Sequence, residues 1–85
     1  MKSFKYTIKN EIGVHVRPAG QLSAAAEKYL SKIFITKDGK SAEATKILAV
    51  MSLGLKYQDK ITVNVIGEDE ERAADGIKKF IKENF

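Results

Sequence analysis

The residues with reactive potential gather in Gly13-Val14-His15-Val16-Arg17-Pro18-Ala19, a stretch that holds the only histidine among 85 residues. A neutral imidazole has a lone pair that can attack phosphorus, and covalent catalysis through it divides one difficult transfer into two easier displacements. Two residues on, the Arg17 guanidinium can give two parallel charge-assisted hydrogen bonds to phosphate oxygens, a geometry that lysine cannot copy. Pro18 is tolerated at a helix start, where its missing N–H has no intrahelical partner, and it biases the preceding residue away from helical angles. These preferences predict a helix that begins at about Arg17 or Pro18. Free N–H groups there, Val16 and Arg17 among them, and the positive dipole end would face His15, an arrangement suited to phosphate. The same dipole disfavours a second positive charge and so favours a neutral, nucleophilic imidazole.

A lone histidine is more often a surface residue without chemistry, so the surrounding segment is what points to phosphoryl transfer. A metal site is not expected, because one histidine and no cysteine would need clustered carboxylates, and none lie near His15 in sequence. No orienting acid stands at a spacing diagnostic of a serine triad. Ser23, Ser31, Ser41 and Ser52 therefore read as ordinary helix, turn or surface residues, and no cofactor is called for.

The elements that must position His15 follow from periodicity. From Ser3 to Lys9, Phe4, Tyr6 and Ile8 alternate with Lys5, Thr7 and Lys9, the period of a half-buried strand. After Pro18, the residues Ala19, Leu22, Ala26, Tyr29 and Leu30 recur at helical spacing. Ile33 to Lys37 reads as a strand, Asp38-Gly39 suits a two-residue type I′ turn, and Lys40 to Glu43 returns beside it. Ile47, Leu48, Val50, Met51 and Leu53 form a short apolar helix that Gly54 can end with a left-handed cap. Ile61, Val63 and Val65 alternate in a further strand. A last helix starts among Glu68, Asp69, Glu70 and Glu71, carries Ala73, Ile77, Phe80, Ile81 and Phe85 on one stripe, and ends near Lys78, Lys79 and Lys82, which complements its dipole. The order βαββαβα predicts an α+β fold with helices on one face of a mostly antiparallel sheet, all within one domain over residues 1–85.

Composition narrows the class. The chain has no cysteine and a formal charge of +4, which favours a reducing, cytosolic setting and acidic partners without singling out nucleic acid. No apolar stretch resembles a signal peptide, and none approaches the ~18 consecutive apolar residues of a membrane span. A nucleic-acid binder would need stacking aromatics on the open sheet face, whereas the alternation places Phe4 and Tyr6 with the core-facing set.

Two segments resemble those of the HPr family, the histidine-containing phosphocarriers of the bacterial phosphoenolpyruvate-dependent sugar phosphotransferase system. Gly13 to Ala19 is similar to the family's active-site signature, and Val50-Met51-Ser52-Leu53-Gly54 to its second signature, and the likeness spans nearly the whole chain. The resemblance implies an open-faced β-sandwich, a four-stranded antiparallel sheet covered on one face by three helices. It also implies transfer of a phosphoryl group from phosphorylated enzyme I to the His15 Nδ1 atom and then to the IIA domain of a sugar permease. Arg17 would steady the phosphate. The protein would then be a stoichiometric intermediate of phosphoryl transfer, a cytoplasmic monomer without membrane insertion or nucleic-acid partner.

In that family the short second helix forms part of the docking surface, which would make Gly20, Ile47, Leu48 and Met51 contact residues while Val50 and Leu53 serve the core. Arg17, Lys40 and Lys46 would supply a charged rim. Three departures from the family pattern stand out. Val16 and Gly20 replace more usual residues around the first helix, and Lys46 occupies the position of the family's regulatory serine, with Thr45 the neighbouring hydroxyl. The alternative implied by the resemblance is an HPr-like domain diverted to binding regulatory proteins.

Overall fold

The computed structural model describes residues 1–85, and in it the chain forms seven elements: β1 (Lys2–Thr7), α1 (Val16–Ala26), β2 (Lys32–Lys37), β3 (Lys40–Glu43), α2 (Ile47–Ser52), β4 (Lys60–Ile66) and α3 (Glu70–Asn84). The strands make one antiparallel sheet in the order β1-β4-β2-β3. β4 is therefore inserted between the parallel strands β1 and β2, and β2 between β3 and β4, giving two split β-α-β crossovers. Register follows alternation: Phe4 stands opposite Val63 and Tyr6 opposite Ile61, while Ile35 lies between Val63 and Ala42. All of these side chains point to the helix layer.

Eighteen buried apolar residues form the core, with Leu22 from α1, Val50 from α2, and Ile77 and Ile81 from α3 meeting Ile33, Ile35, Ile61, Val63 and Val65 of the sheet. Fully burying one such side chain contributes roughly 1.5–3 kcal/mol. Phe4 and Tyr6 are half-buried against this core, as their alternation requires. The other sheet face is polar except for Phe34 and Ile66, with Phe34 set between Asn64 and Glu43. No helix is long and apolar enough to cross a membrane.

Asp38 at φ 49 and Gly39 at φ 80 make the expected type I′ turn. Gly54, at φ 64, follows the last turn of α2 and donates its N–H to the Met51 carbonyl at 3.1 Å.

Two helix boundaries depart from periodicity. α1 begins at Val16 with His15 as its cap, so Pro18 sits at the third helical position rather than the first. Its absent N–H is still one of the helix's orphan donors, and Arg17 adopts helical angles despite the following proline. At its other end α1 stops at Ala26, and Leu30 is exposed rather than part of the core stripe. The cause is distant: Asp69, the cap of α3, accepts hydrogen bonds from the Leu30 and Ser31 N–H groups, both at 2.9 Å, and from the Ser31 hydroxyl at 2.5 Å. Those amides are thereby withheld from a continuing helix.

Candidate functional site

The chain leaves edge strand β1 and turns at the end of the sheet before entering α1, and each step of that turn has an identifiable cause. The Asn10 side-chain carbonyl accepts the Ile12 N–H at 3.0 Å and its backbone carbonyl accepts the Gly13 N–H at 2.9 Å. Gly13 has φ 83, and a Cβ built there would stand 2.7 Å from the Leu55 carbonyl oxygen, so the position excludes any side chain. The next amide, Val14, donates to that same Leu55 oxygen at 3.0 Å. The turn is thus pressed onto the segment that follows α2, and His15 is delivered to the cap position of a helix.

His15 has extended angles, φ −120 and ψ −165, and its carbonyl accepts the Ala19 N–H at 3.0 Å, the first bond of α1. Its imidazole is exposed and caps nothing. The N–H groups of His15, Val16 and Arg17 meet no protein acceptor, and Pro18 has none to offer. Three backbone donors therefore point out of the positive end of the helix dipole beside the ring. Arg17, also exposed, enters no ion pair, and the first turn of α1 contains no acidic residue to neutralise it. An anion placed here meets a guanidinium, free amides and a helix dipole of the same sign.

A family profile described as the PTS HPr component phosphorylation site matches residues 2–83. The chain belongs to the HPr family. It is 36% identical over 85 residues to phosphocarrier protein HPr of Mycoplasma genitalium, with 99% of this chain and 97% of the relative covered. It superposes on the crystal structure of HPr-C-His from Thermoanaerobacter tengcongensis with a TM-score of 0.92 at 35% identity, covering 100% of this chain and 96% of the other. A third similar structure is the Bacillus subtilis catabolite repression protein Crh, described as a domain-swapped dimer, with a TM-score of 0.79, 30% identity and coverage of 99% and 97%. The chain is thus a phosphocarrier of the phosphotransferase system by family, and its open-faced architecture is the HPr fold.

Within that HPr frame, the residues expected to dock partners do not all lie alike. Leu48 is 81% exposed, Val16 62% and Ile47 39%, so each presents apolar surface. Gly20 faces Ile47, whose Cδ1 atom would stand 4.0 Å from a built Cβ, so the two helices approach closely there. Met51, also expected as a contact residue, is half-buried and packs on the core. Leu53 is likewise half-buried, and Val50 alone of the α2 set is fully buried, because a helix of six residues turns only about one position squarely inward. Lys46 is exposed and is the cap residue of α2, with no side-chain capping bond. Thr45 does not replace it as a cap, since its half-buried hydroxyl donates to the Glu43 carboxylate at 3.3 Å.

Sequence patterns alone missed two groups. Ile12 is an exposed apolar side chain on the turn leading to His15, and only its place beside Gly13 could have drawn notice. Ser23, taken for an ordinary helix residue, is buried and donates its hydroxyl to the Ala44 carbonyl at 2.8 Å, tying α1 to the approach of α2.

Proposed function

We propose that His15 accepts a phosphoryl group from phosphorylated enzyme I and donates it to IIA domains of sugar permeases. The observation that carries this reading is the exposed imidazole at the cap of α1, beside three unpartnered amides and Arg17. In the forward step the ring Nδ1 lone pair forms a P–N bond as the donor's own bond to phosphorus breaks. In the second step the acceptor's nucleophile attacks the same phosphorus, and the imidazole leaves neutral. The Val16 and Arg17 amides and the Arg17 guanidinium bind the phosphoryl oxygens, and their fixed positions supply stabilisation without reorganisation. No step leaves net product, so the chain acts as a stoichiometric carrier.

Docking rests on Val16, Gly20, Ile47 and Leu48, with Met51 beneath them and Lys46 and Arg17 as a cationic rim. A small apolar patch rimmed by charge suits partners that must separate quickly. The intact His15-Arg17 pair favours carriage over the purely regulatory alternative. Residues 1–85 act as one domain, monomeric and cytoplasmic, where phosphoenolpyruvate is the phosphoryl source. Light scattering on the purified protein checks the monomer, and a dimer would align it with Crh.

Lys46 has no hydroxyl, so the protein does not respond to the seryl kinase of its relatives, and its charge speeds encounter with acidic partners in a salt-dependent way. Kinase and ATP followed by phosphate mapping tests this; efficient modification of Thr45 would show a displaced switch. For the main reading, incubation with phosphoenolpyruvate and enzyme I should add one phosphoryl group that acid removes and that maps to His15. Absence of any acid-labile phosphate, with an active enzyme I, refutes it.

A further inference from the structure

The loop that receives the His15 turn is held by an ion pair that touches neither His15 nor Arg17. Lys37 Nζ and Asp59 Oδ2 are 2.8 Å apart, with side-chain exposures of 17% and 27%. In each of the other ion pairs at least one partner is far more exposed. The Lys37 ammonium also donates to the Gly54 carbonyl at 2.9 Å, and Asp59 Oδ2 accepts the Lys56 N–H at 2.8 Å. Leu55 is therefore pinned on both sides, at Gly54 by the cation and at Lys56 by the anion. A further pair of 2.8 Å bonds, Ile8 N–H to the Asp59 carbonyl and Gln58 N–H to the Ile8 carbonyl, fastens the loop to the end of β1. The hydrogen bond from Lys37, and then that from the Lys56 N–H, hold the Asp59 carboxyl below its ordinary value.

We infer that Lys37 and Asp59 are positioning residues for His15: they fix the Gly54–Asp59 loop, and its Leu55 carbonyl sets where Val14 and the helix cap stand. The chain of contacts is continuous. The ion pair holds Gly54 and Lys56, Leu55 between them accepts the Val14 N–H at 3.0 Å, and the adjoining Gly13 leaves no slack against the same oxygen. Loss of either charge frees the loop to shift, which moves the imidazole relative to the amides of α1. Transfer chemistry is sensitive to such displacements, because its rate depends on alignment more than on binding. This inference rests on the carrier reading for its kinetic consequence alone.

The test compares Lys37→Met, Asp59→Asn and Lys37→Arg with the native chain, and uses Lys2→Met, which breaks the exposed 3.5 Å pair with Glu71, as a control. Amide exchange of Val14 should quicken by about five- to tenfold relative to β4 amides in the first two variants, the cost of roughly one hydrogen bond, and the His15 ring signals should shift. Phosphoryl acceptance from enzyme I should lose kcat with little change in KM, since the docking patch is untouched. Lys37→Arg should restore both, and Lys2→Met should alter neither. If Val14 and β4 amides quicken together while the ring signals stay native, the pair serves global stability only and the inference falls. Native exchange at Val14 overturns it equally. Should the native chain accept no phosphate, the carrier reading fails, while exchange and ring signals still decide the positioning claim.

Discussion

At the start of α3 the cap residue, Asp69, sends its carboxylate to the Leu30 and Ser31 amides and the Ser31 hydroxyl; at the start of α1 the side chain of the cap residue, His15, bonds to nothing. The surroundings differ in the same sense. α3 opens with Glu70 and Glu71, which suit the positive end of a dipole, and Glu70 pairs with the Met1 ammonium at 2.8 Å. α1 opens with Arg17 and no acid, an arrangement that costs about 0.3–1 kcal/mol until an anion arrives. One cap side chain is engaged by internal partners and ties distant segments together. The other is left free beside an unpaired Arg17, in the place proposed for phosphoryl transfer, and local rules are expected to be broken at functional sites.

The sharpest way to break this comparison is a reciprocal pair of substitutions. His15→Ala should abolish phosphoryl acceptance yet leave stability within about 0.5 kcal/mol, because the exposed ring makes no capping hydrogen bond. Asp69→Ala should leave acceptance near native and lower the unfolding temperature by several degrees, since the Leu30 and Ser31 donors lose their acceptor. Thermal unfolding and intact mass measure both. An acid-labile phosphate on His15→Ala, or normal stability in Asp69→Ala, would contradict the assignment of roles. Next in size is Arg17→Lys, which keeps the charge and loses the planar fork; transfer should slow by about tenfold in both directions. Equal rates would reduce Arg17 to a steering charge.

Much of this contrast was legible in residue types. Alternation in β1 and β4, the Asp38-Gly39 turn, Gly54 after α2 and the acidic start of α3 are local signals, and each has a local physical cause. His15 and Arg17 were conspicuous because a lone histidine before a helix-starting proline is chemically suggestive. What local patterns could not show are contacts between distant segments. Leu30 continues a helical stripe in sequence, yet Asp69 captures its amide and the helix ends at Ala26. α1 starts at Val16, with Arg17 helical before Pro18, behind a turn that the Val14 bond to Leu55 holds in place, a long-range contact that spacing does not encode. Half-burial of Met51 likewise reflects how a short helix sits on the core, which spacing does not encode.

Acid sharpens the comparison at the α3 end. The Ser31 hydroxyl first, and then the Leu30 amide, hold the Asp69 carboxyl down to about 2 from an ordinary 3.8. Glu70 is lowered too, chiefly by its bond to the Met1 ammonium. The unfolded chain binds these protons at higher pH than the folded one, so the stabilisation is fully present above the ordinary carboxyl range. It declines as pH falls through that range toward about 2. Denaturant midpoints measured from pH 5 to about 2 should fall in the native chain and fall less steeply in Asp69→Asn. Parallel curves would remove Asp69 from the acid response.

The smallest expected effect separates the two helices within their own length. Each carries one interior glycine, which on propensity alone costs ~1 kcal/mol relative to alanine. At Gly20 of α1 a Cβ would find only the Ile47 Cδ1 atom, at 4.0 Å, an ordinary contact. At Gly76 of α3 a Cβ would overlap the Tyr29 hydroxyl and approach the ring carbon bearing it to 2.9 Å. Tyr29 cannot swing aside freely, because it packs on the core and the Arg72 guanidinium lies 5.2 Å from its ring centre. Gly20→Ala should therefore stabilise by about 0.5–1 kcal/mol, and Gly76→Ala should destabilise by about 1–3 kcal/mol despite the same gain in propensity. Tyr29→Phe removes the atom in deepest overlap, so combined with Gly76→Ala it should recover part of that loss, a coupling that a double-mutant cycle in urea reads directly. If Gly20→Ala also slows acceptance from enzyme I while gaining stability, close approach of a partner at Gly20 explains why the open helix keeps a residue that weakens it. If Gly76→Ala proves as stable as Gly20→Ala, the Tyr29 contact yields at little cost and the two helices differ only at their caps.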